Sequence, residues 1–217
     1  MRIHAISIGQ PRTVTDAQGA WASAIFREPV DGPVALGERG LAGDRVADTR
    51  HHGAPDQAVC CHPLAHFALW NAELGLTGPA KSLGPGSVGE NWTLSGGTEA
   101  DVCVGDVYAV GSARVRVSGP RYPCWKQDRK LGLPGFHRRS METLRTGFYV
   151  AVAAPGVVKA GDAWTLEERP NPHVTVHEVN ATVHRKPDAA FARRALEAEG
   201  LPSFWRALLE RVLSGET

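Results

Sequence analysis

The chain of 217 residues carries 24 basic and 23 acidic side chains, a formal net charge of +1, and is 42% hydrophobic. That balance excludes a global field drawing it to nucleic acid or an anionic membrane, so any anion site must be local. No apolar run nears the roughly 20 residues of a membrane-spanning helix, and the opening MRIHAISIGQ is too short and polar for a secretory signal, so a cytoplasmic protein is expected.

Strand-like runs dominate the first two thirds, at 2–9, 23–30, 89–94, 106–110, 113–119, 147–156 and 163–169. Val115 and Val117 alternate with Arg114 and Arg116, which gives one apolar and one polar face. Gly and Pro in the gaps, as in LGPGSVG and APGVVKAG, supply the corners of an all-β sheet or barrel. Leu64, Phe67, Trp70 and Leu74, three and four residues apart, predict a helix over 63–74, with Pro63 in its first turn and Gly75 as its stop. Basic segments without alternation predict helices over 125–131 and 138–144. The two prolines of ERPNPH, 168–173, favour an extended linker. Beyond it, Thr175 and Glu178 form a capping box, hydroxyl and carboxylate each satisfying an orphan amide, and open a helix to about His184. Helices over 188–199 and 203–214 follow, closed by Gly200 and Gly215. The expected division is a β-rich domain, 1–171, and a three-helix domain, 172–217.

Candidate chemistry gathers in three places. In GERGLAGDRVADTRHHGAPDQAV, 37–59, glycines allow close backbone approach while Arg39, Arg45, Arg50, His51 and His52 offer donors to an oxyanion; the same composition describes a solvated loop. The spacing is neither a P-loop nor G-x-G-x-x-G. His51 and His52 point to opposite sides if extended. In SVGENWTL, 87–94, Glu90 and Asn91 either satisfy a turn or meet the donors and acceptors of a heterocycle. In GPRYPCWKQ, 119–127, Cys124 lies among Arg121, Lys126 and Arg129, a field that favours thiolate, the form that attacks electrophiles and binds soft metals. The other cysteines, 60, 61 and 103, read as buried structural thiols; with no C-x-x-C pair and no dense disulfide pattern, free thiols are expected and structural zinc is not. His62 and His66 stand four apart with no carboxylate between them and read as surface or core-edge histidines rather than zinc ligands.

In this order, GLAGDRVADTRHHGAPDQAV, the G-E-N turn, VCVGDVYAVGSARVRVSGPRYPCWK and GFYVAVAAPGVVKAGD, from about 37 to 167, resemble the MOSC family, named for the C-terminal domain of molybdenum cofactor sulfurase. The tail, 174–215, resembles the three-helix extension of stand-alone bacterial members of the YiiM type. The resemblance implies a mainly β fold with α, a MOSC-type β-barrel with peripheral helices and a small C-terminal three-helix unit. It implies a molybdenum cofactor (molybdopterin) with Cys124 as the molybdenum ligand and catalytic centre. By motif position, His52, Gly53, Asp56, Glu90, Asn91, Arg121 and Lys126 belong to the cofactor pocket. The implied reaction is two-electron reduction of small N-hydroxylated compounds such as hydroxylaminopurines and amidoximes.

With no Fe–S cysteine pattern and no flavin fingerprint, electrons are expected from a separate donor protein. The chain is expected as a monomer or homodimer that binds neither nucleic acid nor membrane. One departure is HHGAPD, where the YiiM type often has H-G-G-P-D, and a positive φ at Ala54 would be strained. The same thiolate would also serve a non-enzymatic carrier of cofactor or of persulfide sulfur, or a cysteine hydrolase with His52 or His137 as base. The C-terminal helices either dock the donor or pack on the barrel.

Overall fold

A computed structural model describes residues 1–79 and 81–215; the last two residues of the expected helical domain, Glu216 and Thr217, lie outside the described residues. The chain opens with β1 (Arg2–Ile8), the hairpin β2 (Arg12–Asp16) and β3 (Gly19–Ser23), then β4 (Glu28–Val30), β5 (Val34–Gly37) and β6 (Gly40–Leu41). A 3-10 turn (Pro55–Gln57) leads into β7 (Val59–Pro63), α1 (Leu64–Glu73), β8 (Trp92–Ser95), β9 (Val107–Val110) and β10 (Ala113–Pro120). Two short helices, α2 (Lys126–Leu131) and α3 (Phe136–Glu142), precede β11 (Phe148–Ala154), β12 (Gly156–Val158) and β13 (Trp164–Glu168). Helices α4 (Val176–His184), α5 (Ala189–Leu196) and α6 (Ser203–Ser214) follow.

Eight strands form one sheet in the order β13-β9-β10-β11-β7-β8-β1-β4, antiparallel except for the parallel pair β7 and β8. That pair is parallel because α1 carries the chain across between them. The sheet curls: Ile3 N donates to Asp162 O at 3.0 Å and Trp164 N to Met1 O at 3.0 Å, so β1 meets the start of β13. Val115 and Val117 are fully buried while Arg114 and Arg116 stay outside, as the alternation predicts. Trp164 lies edge-on to Trp92 and to Phe148 inside the curl, with ring centroids at 5.7 and 6.3 Å. A second apolar cluster joins Val104 to Phe191, Trp205 and Leu209 of the C-terminal helices. Among the described residues, no helix is long and apolar enough to cross a membrane.

Several expectations need correction. The run 23–30 is not one strand: Ser23 Oγ accepts from Ile25 N at 3.2 Å and Arg27 N donates to Ile25 O at 2.9 Å, a bend that separates β3 from β4. The hairpin β2–β3 and the strands β5, β6 and β7 occur where no strand was expected. Pro63 ends β7 and caps α1, so His62 is on a strand and does not share a helix face with His66. Helix α3 starts at Phe136, two residues early, behind Gly135 at φ 82°, and α5 stops at Leu196. Only half of the capping box forms: Glu178 N donates to Thr175 Oγ1 at 3.1 Å, while the Glu178 carboxylate accepts from the Thr175 hydroxyl instead of an amide. The linker is pinned, because Arg169 pairs with buried Asp106 at 2.7 Å and Asn171 Nδ2 donates to Val104 O at 2.8 Å.

Candidate functional site

Strand β10 ends at Pro120, and the next four residues deliver Cys124 to the mouth of a cleft enclosing about 560 Å³, solvent-side space included. The Arg121 amide donates to Gly147 O at 2.9 Å, which ties this segment to the start of β11. The Arg121 side chain is buried at 7% exposure, its Nη1 has no hydrogen-bond partner, and no salt bridge among the described residues includes it. Burial opposes its charge, but Cys60, Tyr149, Cys124 and Glu90 around it push its pKa up, so it stays a cation. Cys124 is half-buried and shares the cleft wall with Arg27, His52, Cys60, Arg121 and Lys126. Arg129, expected beside the thiol, is committed elsewhere: Nε donates to Asp16 Oδ2 at 2.7 Å, and this contact above all holds the Asp16 carboxyl down to about 2.

Arg27 differs from Arg121. Its Nε and Nη2 donate to the two oxygens of Asp44 at 2.9 and 2.8 Å, and Nη1 donates to Gly89 O at 2.6 Å. His52 is half-buried; burial first, then repulsion by Arg121 and Lys126, pushes its pKa down to about 4, so it faces the cleft as neutral imidazole. Its neighbour His51 is exposed and bonds Asp48 at 2.9 Å; the two histidines sit in a turn rather than an extended segment. The turn takes its positive φ at Gly53 (80°), whereas Ala54 sits at φ −62°, so the departure in HHGAPD carries no strain. Asn91 knits the wall together: Oδ1 accepts from Cys60 N at 3.0 Å and Nδ2 donates to Ser7 O at 3.3 Å.

Six of the eight expected residues, His52, Gly53, Asn91, Arg121, Cys124 and Lys126, converge on this cleft; Glu90 and Asp56 are not on its wall. Glu90 is fully buried and accepts from Gly86 N at 2.6 Å and Thr93 Oγ1 at 2.8 Å, so it holds its own turn. Asp56 belongs to the 3-10 turn. Sequence reasoning missed Arg27, Cys60 and Tyr149 as wall residues. The available signals were a lone cation inside the apolar run SAIFREPV and a polar aromatic inside GFYVAVA. Burial, then the neighbouring Cys60, pushes the Tyr149 hydroxyl up, and burial pushes the Cys60 thiol up. His137 is not on the wall; it bonds Asp128 at 2.8 Å. His62 and His66 are buried rather than at the surface, with His66 Nε2 at 2.8 Å from Glu99. Among the described residues, no group of three or more His, Cys, Asp or Glu side chains is placed to hold a metal ion.

The chain belongs to the MOSC domain family, whose match covers residues 48–165 and so takes in most of the cleft wall, Cys124 and Arg121 included. Protein YiiM of Escherichia coli is 36% identical over 196 residues, 89% of this chain and 86% of that one. A protein of Gibberella moniliformis named Reductase is 32% identical over 170 residues, 77% of this chain but 30% of the fungal one. The crystal structure of YiiM from Geobacillus stearothermophilus matches with a TM-score of 0.80 at 32% identity, covering 98% of each chain.

Proposed function

We propose that this protein is a molybdenum-cofactor-dependent reductase of N-hydroxylated compounds, hydroxylaminopurines and amidoximes among them, with Cys124 as the thiolate ligand of molybdenum. Arg121 is the observation that carries the reading. Its buried guanidinium has an unpartnered Nη1 and opens on the same cleft as a reachable thiol. An unpaired buried charge costs several kcal/mol, so the residues fit an anionic guest that offsets it. A cysteine sulfur beside that cation suits a thiophilic metal carried by such a guest.

When bound, the cofactor would supply the two-electron chemistry at the N–O bond. The chain's own residues bind and orient. Arg121 and Lys126 would meet the anionic part of the guest, and Gly53, at a φ of 80° that strains other residues, shapes the wall where its Cα faces Val46. His52, neutral above about pH 4, holds a proton on one ring nitrogen and leaves the other to accept one. Tyr149 keeps its phenolic proton and would be a donor on the wall. Residues 1–171 form the cofactor domain, the chain from 172 onward forms the helical one, and electrons arrive from a separate protein. Kinship to a protein named Reductase and to YiiM supports this reading.

The test is multiple-turnover reduction of a hydroxylaminopurine by cofactor-loaded protein with an artificial reductant. The wild type should turn over repeatedly and Cys124→Ala should not. Wild-type turnover by the loaded variant overturns the ligand role, and a single stoichiometric transfer by the wild type marks a carrier instead.

A further inference from the structure

We propose that Asn180 and Trp205, on two of the C-terminal helices, are positioning residues for Arg121, because together they fix the peptide group that carries it. The inference rests on the cofactor reading only in naming what Arg121 receives. The peptide bond between Pro120 and Arg121 is held at both ends. Its N–H donates to Gly147 O at 2.9 Å, and its C=O accepts from the Trp205 indole Nε1 at 2.9 Å. The Gly147 carbonyl also accepts from the Thr146 hydroxyl at 2.9 Å, and that hydroxyl accepts from Asn180 Nδ2 at 3.0 Å. A continuous hydrogen-bonded path therefore runs from α4 to the amide of Arg121 and from its preceding carbonyl to α6.

The path is dry: Asn180, Thr146 and Trp205 are 0%, 1% and 3% exposed. In such surroundings water does not compete for the bonds, and the linked dipoles reinforce one another. Gly147 leaves the path no slack, since a Cβ there would lie 2.3 Å from Cys61 O, and its own N–H is taken by Glu99 at 2.7 Å. The Trp205 ring packs on Gly119, where a Cβ would stand 3.3 Å from it. Arg27 has Asp44 to aim its guanidinium, whereas Arg121 has no carboxylate hydrogen-bonded to it and takes its direction from the backbone. No residue of the C-terminal helices lines the cleft, so they act on it through this peptide group.

Trp205→Phe removes the indole donor and keeps an aromatic ring; Asn180→Leu removes the amide and keeps the branched outline of the side chain. Leu209→Ala loosens α6 at a buried position that belongs to neither bond. Two quantities are read in the full-length protein: hydrogen exchange at the Arg121 amide, and molybdenum retained after dialysis by protein from a cofactor-competent host. Loss of one net hydrogen bond should speed Arg121 exchange about tenfold in Trp205→Phe and in Asn180→Leu. Both variants should lose more molybdenum than Leu209→Ala at equal loss of Tm. Unchanged Arg121 exchange in both variants overturns the proposal, and so does an equal molybdenum loss in Leu209→Ala. A wild type without molybdenum overturns the cofactor reading, and the exchange rates then decide the positioning role alone.

Discussion

Arg27 and Arg121 reach one cleft from different parts of the fold, the first from the bend between β3 and β4, the second from the end of β10. Arg27 is closed: its side chain and that of Asp44 are 12% and 10% exposed and pair through two hydrogen bonds. Arg121 is buried yet open, with no carboxylate paired to it and Nη1 without a partner. The same side chain is frame in one place and, on the proposed reading, receptor in the other. Within a wall of cations, a buried guanidinium without a paired carboxylate is the one whose charge a guest would offset most.

Substitutions sharpen that contrast. Arg27→Met strands the Asp44 carboxylate, and chemical unfolding should show a loss of about 3–5 kcal/mol. Arg121→Met removes a charge that has no partner, so the cofactor-free protein should be unchanged or gain about 1–4 kcal/mol, while molybdenum retention is lost. A destabilisation on the scale of Arg27→Met would break the comparison by exposing a partner for Arg121.

His52 sharpens it by pH. With a folded pKa near 4 against an unfolded value of about 6.5, the unfolded chain takes up a proton that the folded cleft refuses, because burial and the two cations disfavour it. The His52 contribution to stability should therefore fall as pH drops from 6.5 toward 4 and level off below, and His52→Gln should make that limb shallower in unfolding measurements across the range. The smallest effect belongs to Lys126, half-buried at the rim: Lys126→Ala should shift stability by no more than about 0.5 kcal/mol and weaken retention of the guest only a few-fold.

What the sequence disclosed were the parts written locally. The alternation of Ala113 to Ser118 is a strand, the spacing of Leu64, Phe67 and Trp70 is α1, and the loop that presents Cys124 shows its proline, thiol and cations within a few residues. Long-range partners were not visible. Arg129 looks like a neighbour of the thiol until Asp16 of the β2–β3 hairpin claims it, and Glu90 looks like a ligand contact until Gly86 and Thr93 use it. Tyr149 and Cys60 face each other across paired strands, a register that no local pattern records. The bend at residues 24–27 was hidden for a similar reason: a β-prone run is interrupted where Arg27 is taken up by Asp44 and Gly89 from distant segments.

The central claim is that the open cation and Cys124 together hold a molybdenum-bearing guest. The most direct measurement is the molybdenum-to-protein ratio of wild type, Cys124→Ser and Arg121→Met, each produced in the same cofactor-competent host and confirmed folded. The account predicts near-stoichiometric metal in the wild type and a collapse of that ratio in both variants. A wild type free of molybdenum, or variants that carry as much of it, would contradict the account.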